Sequence, residues 1–128
     1  MKKIEWILPI KLISEANNTD HWTKKRKRNK NQEKIIWWQW NQVQPDITLP
    51  CIVTLTRIAP RFLDQDDNLR MSFKHVKDII ADLIKPGLAM GRADDDERMI
   101  WQYSQEKGKP KEYAVKIEIV SLYLKVQG

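Results

Sequence analysis

Apolar and polar residues alternate along four stretches of the chain and recur at helical spacing along two others. Residues 3–12, KIEWILPIKL, alternate roughly and include Pro9, which has no backbone N–H to offer a neighbour, so they predict an edge strand or extended entry segment. SEANNTD follows with turn and N-cap residues, and a helix is expected from about residue 19 to about residue 43, ahead of a turn bracketed by Pro45 and Pro50. Residues 50–59, PCIVTLTRIA, carry β-branched side chains at alternating positions and predict a strand. Over residues 67–84, Leu69, Phe73, Val76, Ile80 and Leu83 fall at helical spacing and form one apolar stripe, closed by Pro86 and Gly87. Residues 98–105 and 113–123 alternate again, and the lysine-rich KGKPKE between them reads as a hairpin loop. The order strand, helix, strand, helix, strand, strand predicts an α+β fold: a small mixed or antiparallel sheet with two long helices packed on it.

At 128 residues the chain is the size of one domain, and its 41% apolar and 31% charged residues are those of a folded protein rather than a disordered tail. No apolar run approaches the ~20 residues of a membrane span, and MKKIEWILPIKL lacks the apolar core and cleavage site of a signal peptide. A cytoplasmic location without membrane contact is expected. The single cysteine, Cys51, lies in an apolar run and reads as core filler. With only His21 and His75 beside it, a zinc site is excluded, so any metal must be a hard ion held by oxygen.

The net charge of +6 matters less than its segregation. Six of the seven residues from Lys24 to Lys30 are basic: Lys24, Lys25, Arg26, Lys27, Arg28 and Lys30. Such a block suits phosphate contacts, which supply affinity and salt dependence but little sequence information. Acids crowd instead into Asp64, Asp66 and Asp67 and into the run Asp94 to Glu97, where they would repel phosphate unless a cation sat between them. Two carboxylate groups from separate elements are what a magnesium site for phosphodiester hydrolysis requires, because the ion polarises the phosphate and lowers the pKa of an attacking water. Read singly, each cluster is equally an N-cap with solvated acids. An EF-hand is excluded, since Leu69 and His75 stand where its glycine and closing glutamate belong. On the second helix Asp67, Lys74 and Asp78 share one face, opposite the apolar stripe, which by itself describes an ordinary solvated face.

In order along the chain, DQDDNL (64–69), Lys74 with Asp78, and GRADDDERMIWQYSQ (91–105) resemble the RusA-type Holliday junction resolvases, of the kind encoded by phages and prophages. SEANNTDHW with its following bases and the closing YAVKIEI extend the similarity along most of the chain. The resemblance implies a homodimeric endodeoxyribonuclease of recombination and repair that nicks four-way DNA symmetrically. It implies magnesium, with manganese as a substitute, and no small-molecule cofactor. Three aspartates hold the metal in that family and a lysine assists, so Asp94 and Lys74 are the counterparts in the second cluster and on the helix. The first cluster has one residue more than the family pattern. Anchoring on Asn68 selects Asp67, and a one-residue bulge recruits Asp64, or Asp64 with Asp66. Lys74 also lies about one turn further along its helix than in the family, which leaves Arg70 as an alternative source of positive charge. A non-catalytic DNA- or RNA-binding protein, and a nuclease of the same fold cutting other branched DNA, are the competing readings. Trp37, Trp38 and Trp40 follow the basic block, and core or dimer-interface packing is expected for them ahead of base stacking.

Overall fold

The computed structural model describes residues 3–12, 22–63, 69–85 and 96–122. Strands β1 (Lys3–Leu8), β2 (Cys51–Ala59), β3 (Met99–Lys107) and β4 (Ala114–Ser121) form one mixed sheet in the order β1-β4-β2-β3. Among the described residues three helices accompany it: α1 (Trp22–Val43), α2 (Arg70–Ser72) and α3 (Lys74–Ile84). β2 and β3 run parallel, while β4 is antiparallel to both β1 and β2. The fold is α+β, and β1 takes the edge position that Pro9 predicts.

The hairpin expected at KGKPKE does not form. β2 lies between β3 and β4, so the loop crosses the end of β2 instead of turning back onto a neighbour. The crossing is tight: the Gly108 N–H donates to the Ala59 carbonyl at 2.8 Å, and a Cβ on Gly108 would stand 2.7 Å from Glu112 Oε1 and 3.2 Å from Ile58 Cγ2. Lys111 completes the turn with φ of 66°. The physical reason lies in β2, whose backbone donors and acceptors are paired on both sides only in a central position. With β4 kept beside β1, a β3–β4 hairpin would have moved this apolar strand to an edge.

Register places Ile4, Ile119, Val53 and Trp101 in one row of the inner face and Trp6, Ile117, Leu55 and Tyr103 in the next. Phe73, Val76 and Ile80 of the predicted stripe are fully buried against this face, and the Phe73 ring stacks on Tyr103 at 5.7 Å. Cys51 is buried among them, and burial pushes its thiol up to about 11, which suits inert filler. The helix expected over residues 67–84 is interrupted at Phe73, where φ −90° and ψ −4° separate α2 from α3. Next to the break the Ser72 hydroxyl donates to the Leu69 carbonyl at 2.6 Å, a local side-chain bond of the kind that bends helices. The outer face is wet and charged, with Lys116 on Glu106 at 2.8 Å and Lys3 on Glu118 at 3.0 Å.

α1 docks lightly. Only Gln32 and Ile36 of its 22 residues are buried, and Trp40 meets Trp6 edge-on at 5.8 Å. Trp37 and Trp38 remain 49% and 64% exposed, so within this chain the core expectation holds for Trp40 alone. The helix ends where Gln44, at φ 47°, donates its N–H to the Trp40 carbonyl at 2.7 Å, a left-handed cap followed at once by Pro45. Among the described residues no helix is long and apolar enough to cross a membrane.

Truncating the centre of the α3 stripe tests this packing. Phe73→Ala is expected to cost about 3–5 kcal/mol, whereas Thr54→Val on the outer face costs less than about 1 kcal/mol, both read from urea denaturation.

Candidate nucleic-acid interface

α3 runs antiparallel to β3, as three contacts along its length establish. Phe73 stacks on Tyr103, the Lys77 ammonium lies 5.3 Å from the Trp101 ring centroid, and Lys85 reaches Asp96. α1 lies beside α3, with Ile36 in the shared core and Trp40 against Trp6 of β1, and a groove opens between the two helices. Lys25, Asn29 and Gln32 line it from α1, at a spacing that puts them on one helical face. Met71, Ser72, Lys74, His75 and Asp78 line it from the other side. The cavity measures about 240 Å³, and a smaller hollow of about 80 Å³ adjoins it, sharing His75 and Asp78 and adding Glu33, Trp37, Ile79 and Asp82.

The groove is polar by construction. His75 Nε2 lies 3.0 Å from the Asn29 carbonyl; a carbonyl can only accept, so Nε2 carries the proton of this bond and Nδ1 is the ring's other polar atom. Gln32 is 6% exposed, and its side-chain oxygen is buried with no hydrogen-bond partner. Such an unmet acceptor costs about 1–3 kcal/mol. Lys74, the helical lysine singled out by the resemblance, opens into this groove together with Lys25 of the basic block. Lys24, Arg26, Lys27 and Lys30 are exposed on α1 and Arg28 is half-buried, so the basic block forms a solvent-facing helical ridge beside the groove. Arg70 is exposed, its guanidinium 5.9 Å from the Tyr103 ring centroid.

Asp64, Asp66, Asp67 and Asp94 lie outside the described residues, whereas the residues flanking them are held firmly. Gln105 grips Leu63 with two bonds of 2.9 Å, donating to its carbonyl and accepting from its N–H, and Arg57 donates to the Arg61 carbonyl at 2.7 Å. Burial lowers the Arg57 guanidinium from its ordinary pKa, with Tyr113 opposing the shift. At the opposite end of β3, Asp96 takes Lys85 at 2.6 Å and Arg98 at 2.8 Å, tying the end of α3 to the start of β3. These anchors stand ~20 Å apart, from the rise of the six residue steps between Met99 and Gln105. Asp96 therefore has a structural post, unlike the ligand role considered for Asp94. Among the described residues no three histidine, cysteine, aspartate or glutamate side chains gather to hold a metal ion.

Sequence reasoning overlooked Gln32, Asn29, His75 and Gln105. The i, i+4, i+7 spacing of Lys25, Asn29 and Gln32 was a usable signal, because it marks a polar face where a docked helix should be apolar. Nothing in the local pattern marked Gln105, whose partner lies 42 positions away.

The Asp96 clamp carries a pH signature. Hydrogen bonds from Arg98 and then Lys85 hold its carboxyl well below the usual carboxylate range. Its contribution is therefore fully present above the unfolded-chain value of about 4 and is lost as pH falls below it. Asp96→Asn is expected to lower the melting temperature at pH 7 and to make the loss of stability between about pH 5 and pH 2 shallower than in the parent chain, as followed by thermal melts.

Compared with protein-family models and with curated proteins, the chain matches none.

Proposed function

We propose that the chain is a RusA-type, magnesium-dependent endodeoxyribonuclease that cuts four-way or other branched DNA, acting as a homodimer. The observation that carries this reading is the meeting of Lys74 with Lys25 in one groove beside the basic ridge of α1. The lysine to which the resemblance gives a catalytic role and the block assigned to phosphate binding by charge thus line one surface.

In this reading the exposed bases of α1 hold the DNA arms through their phosphates, which positions the strand without selecting a sequence. Lys74 directs a cation at the scissile phosphate, where charge grows as the bond breaks, and Arg70 is the alternative donor. Asp67 and Asp94, with Asp64 or Asp66, are the residues that would hold magnesium, whose chemistry is to polarise the phosphate and activate water.

A synthetic four-way junction tests the proposal. Cleavage in magnesium is expected, with Asp94→Asn reducing it at least about a hundredfold while junction binding persists. Binding without cleavage in magnesium or manganese would leave a non-catalytic nucleic-acid binder and refute the enzyme. The ridge makes a separate prediction: log affinity falls linearly with log salt, and each of Lys24→Ala, Lys27→Ala and Lys30→Ala lowers that slope by about one in an equilibrium titration.

A further inference from the structure

We propose that the groove between α1 and α3 receives one unstacked nucleotide of the DNA, its phosphate against Lys25 and Lys74 and its amine-bearing base against Gln32. This rests on the reading of the chain as a DNA-acting protein and deepens it, assigning base recognition to residues outside the acidic segments.

Three features of the groove point the same way. Its volume of about 240 Å³ lies below the ~300–1,000 Å³ of sites for larger ligands, which suits a single base with its phosphate. Its charge is graded. Lys25 and Lys74 line the larger cavity with the shared Asp78, whereas the adjoining hollow has no lysine in its lining and adds Glu33 and Asp82 to Asp78. An extended run of phosphates would meet repulsion at the acidic end, but a nucleotide lying along the groove puts its one anionic group at the lysines. The third feature is chemical. The Gln32 oxygen is an acceptor without a partner, and a phosphate diester has no proton to give it. A base does.

The acceptor narrows the choice of base. The unpartnered acceptor in this lining is the Gln32 oxygen, so the groove favours base edges that donate. Adenine, cytosine and guanine each present an exocyclic amine, which sets them apart from thymine, and a glutamine side chain can meet adenine with both its oxygen and its nitrogen. Thymine presents two carbonyl oxygens around a single N–H and would set them against this acceptor. Trp37, half exposed in the lining of the adjoining hollow, offers a face on which the next base can stack.

The test uses the intact chain, isotopically labelled for NMR and titrated with deoxyadenosine monophosphate, thymidine monophosphate and inorganic phosphate. Saturable movement of the Gln32 side-chain amide and the His75 ring with the adenine nucleotide is expected, with about tenfold weaker binding of the thymine nucleotide. Inorganic phosphate should move signals near Lys25 and Lys74 and leave Gln32 in place. Gln32→Leu should bring the two nucleotides to equal affinity; if that variant does not fold, the comparison within the parent chain decides alone. Equal binding of both nucleotides, or no response of Gln32 and His75 to either, overturns the proposal. Magnesium and cleavage play no part in this measurement. A chain that cuts junctions but takes no nucleotide here refutes only the pocket, and one that binds nucleotides but cuts nothing refutes only the nuclease.

Discussion

The constraint on which this structure turns is the central placement of β2. Its alternating residues Cys51, Val53 and Leu55 are fully buried, and both of its backbone edges are paired, by β3 on one side and β4 on the other. Once that strand is interior, the connection from β3 to β4 must cross its end, and the connection from β2 to its parallel partner β3 must travel the length of the sheet. α3 occupies that return path. Its apolar stripe covers the inner rows of the sheet, so one strand's need for two neighbours sets the position of the helix that presents Lys74 and His75.

α1 follows a different economy. Its anchorage is the short patch around Ile36 and Trp40, and the basic half before it has no comparable burial. Crowded lysines and arginines repel one another and are expensive to bury, so charge density and weak docking have one cause. The same cause leaves a cationic ridge facing water beside a groove whose polar lining would be poor packing in any ordinary helix pair. The groove is thus the place where this domain departs from the rule that facing helices bury apolar residues.

The elements themselves were largely legible from periodicity. β2 and β4 start and end within about two residues of the alternating segments, and the stripe of Phe73, Val76 and Ile80 is the one buried in the core. The break at Phe73 was not, because it accompanies a hydroxyl-to-carbonyl bond that no spacing advertises. Trp37 and Trp40 illustrate the limit of helical phase as a guide. They sit three residues apart, yet one meets Trp6 and the other is half exposed, because the sheet supplies a partner at only one of the two positions.

By itself the sequence determined which segments become strands and helices, which face of each is apolar, and where positive and negative charge accumulate. These are properties of neighbours a few residues apart, governed by backbone geometry and water. Tertiary structure alone decided the strand order and the lining of the groove. Alternation tells a strand which face to bury and says nothing about which strand lies beside it. The contact of His75 with Asn29 joins positions 46 residues apart, and it exists because α3 must cover the sheet and α1 must then find its patch on what remains.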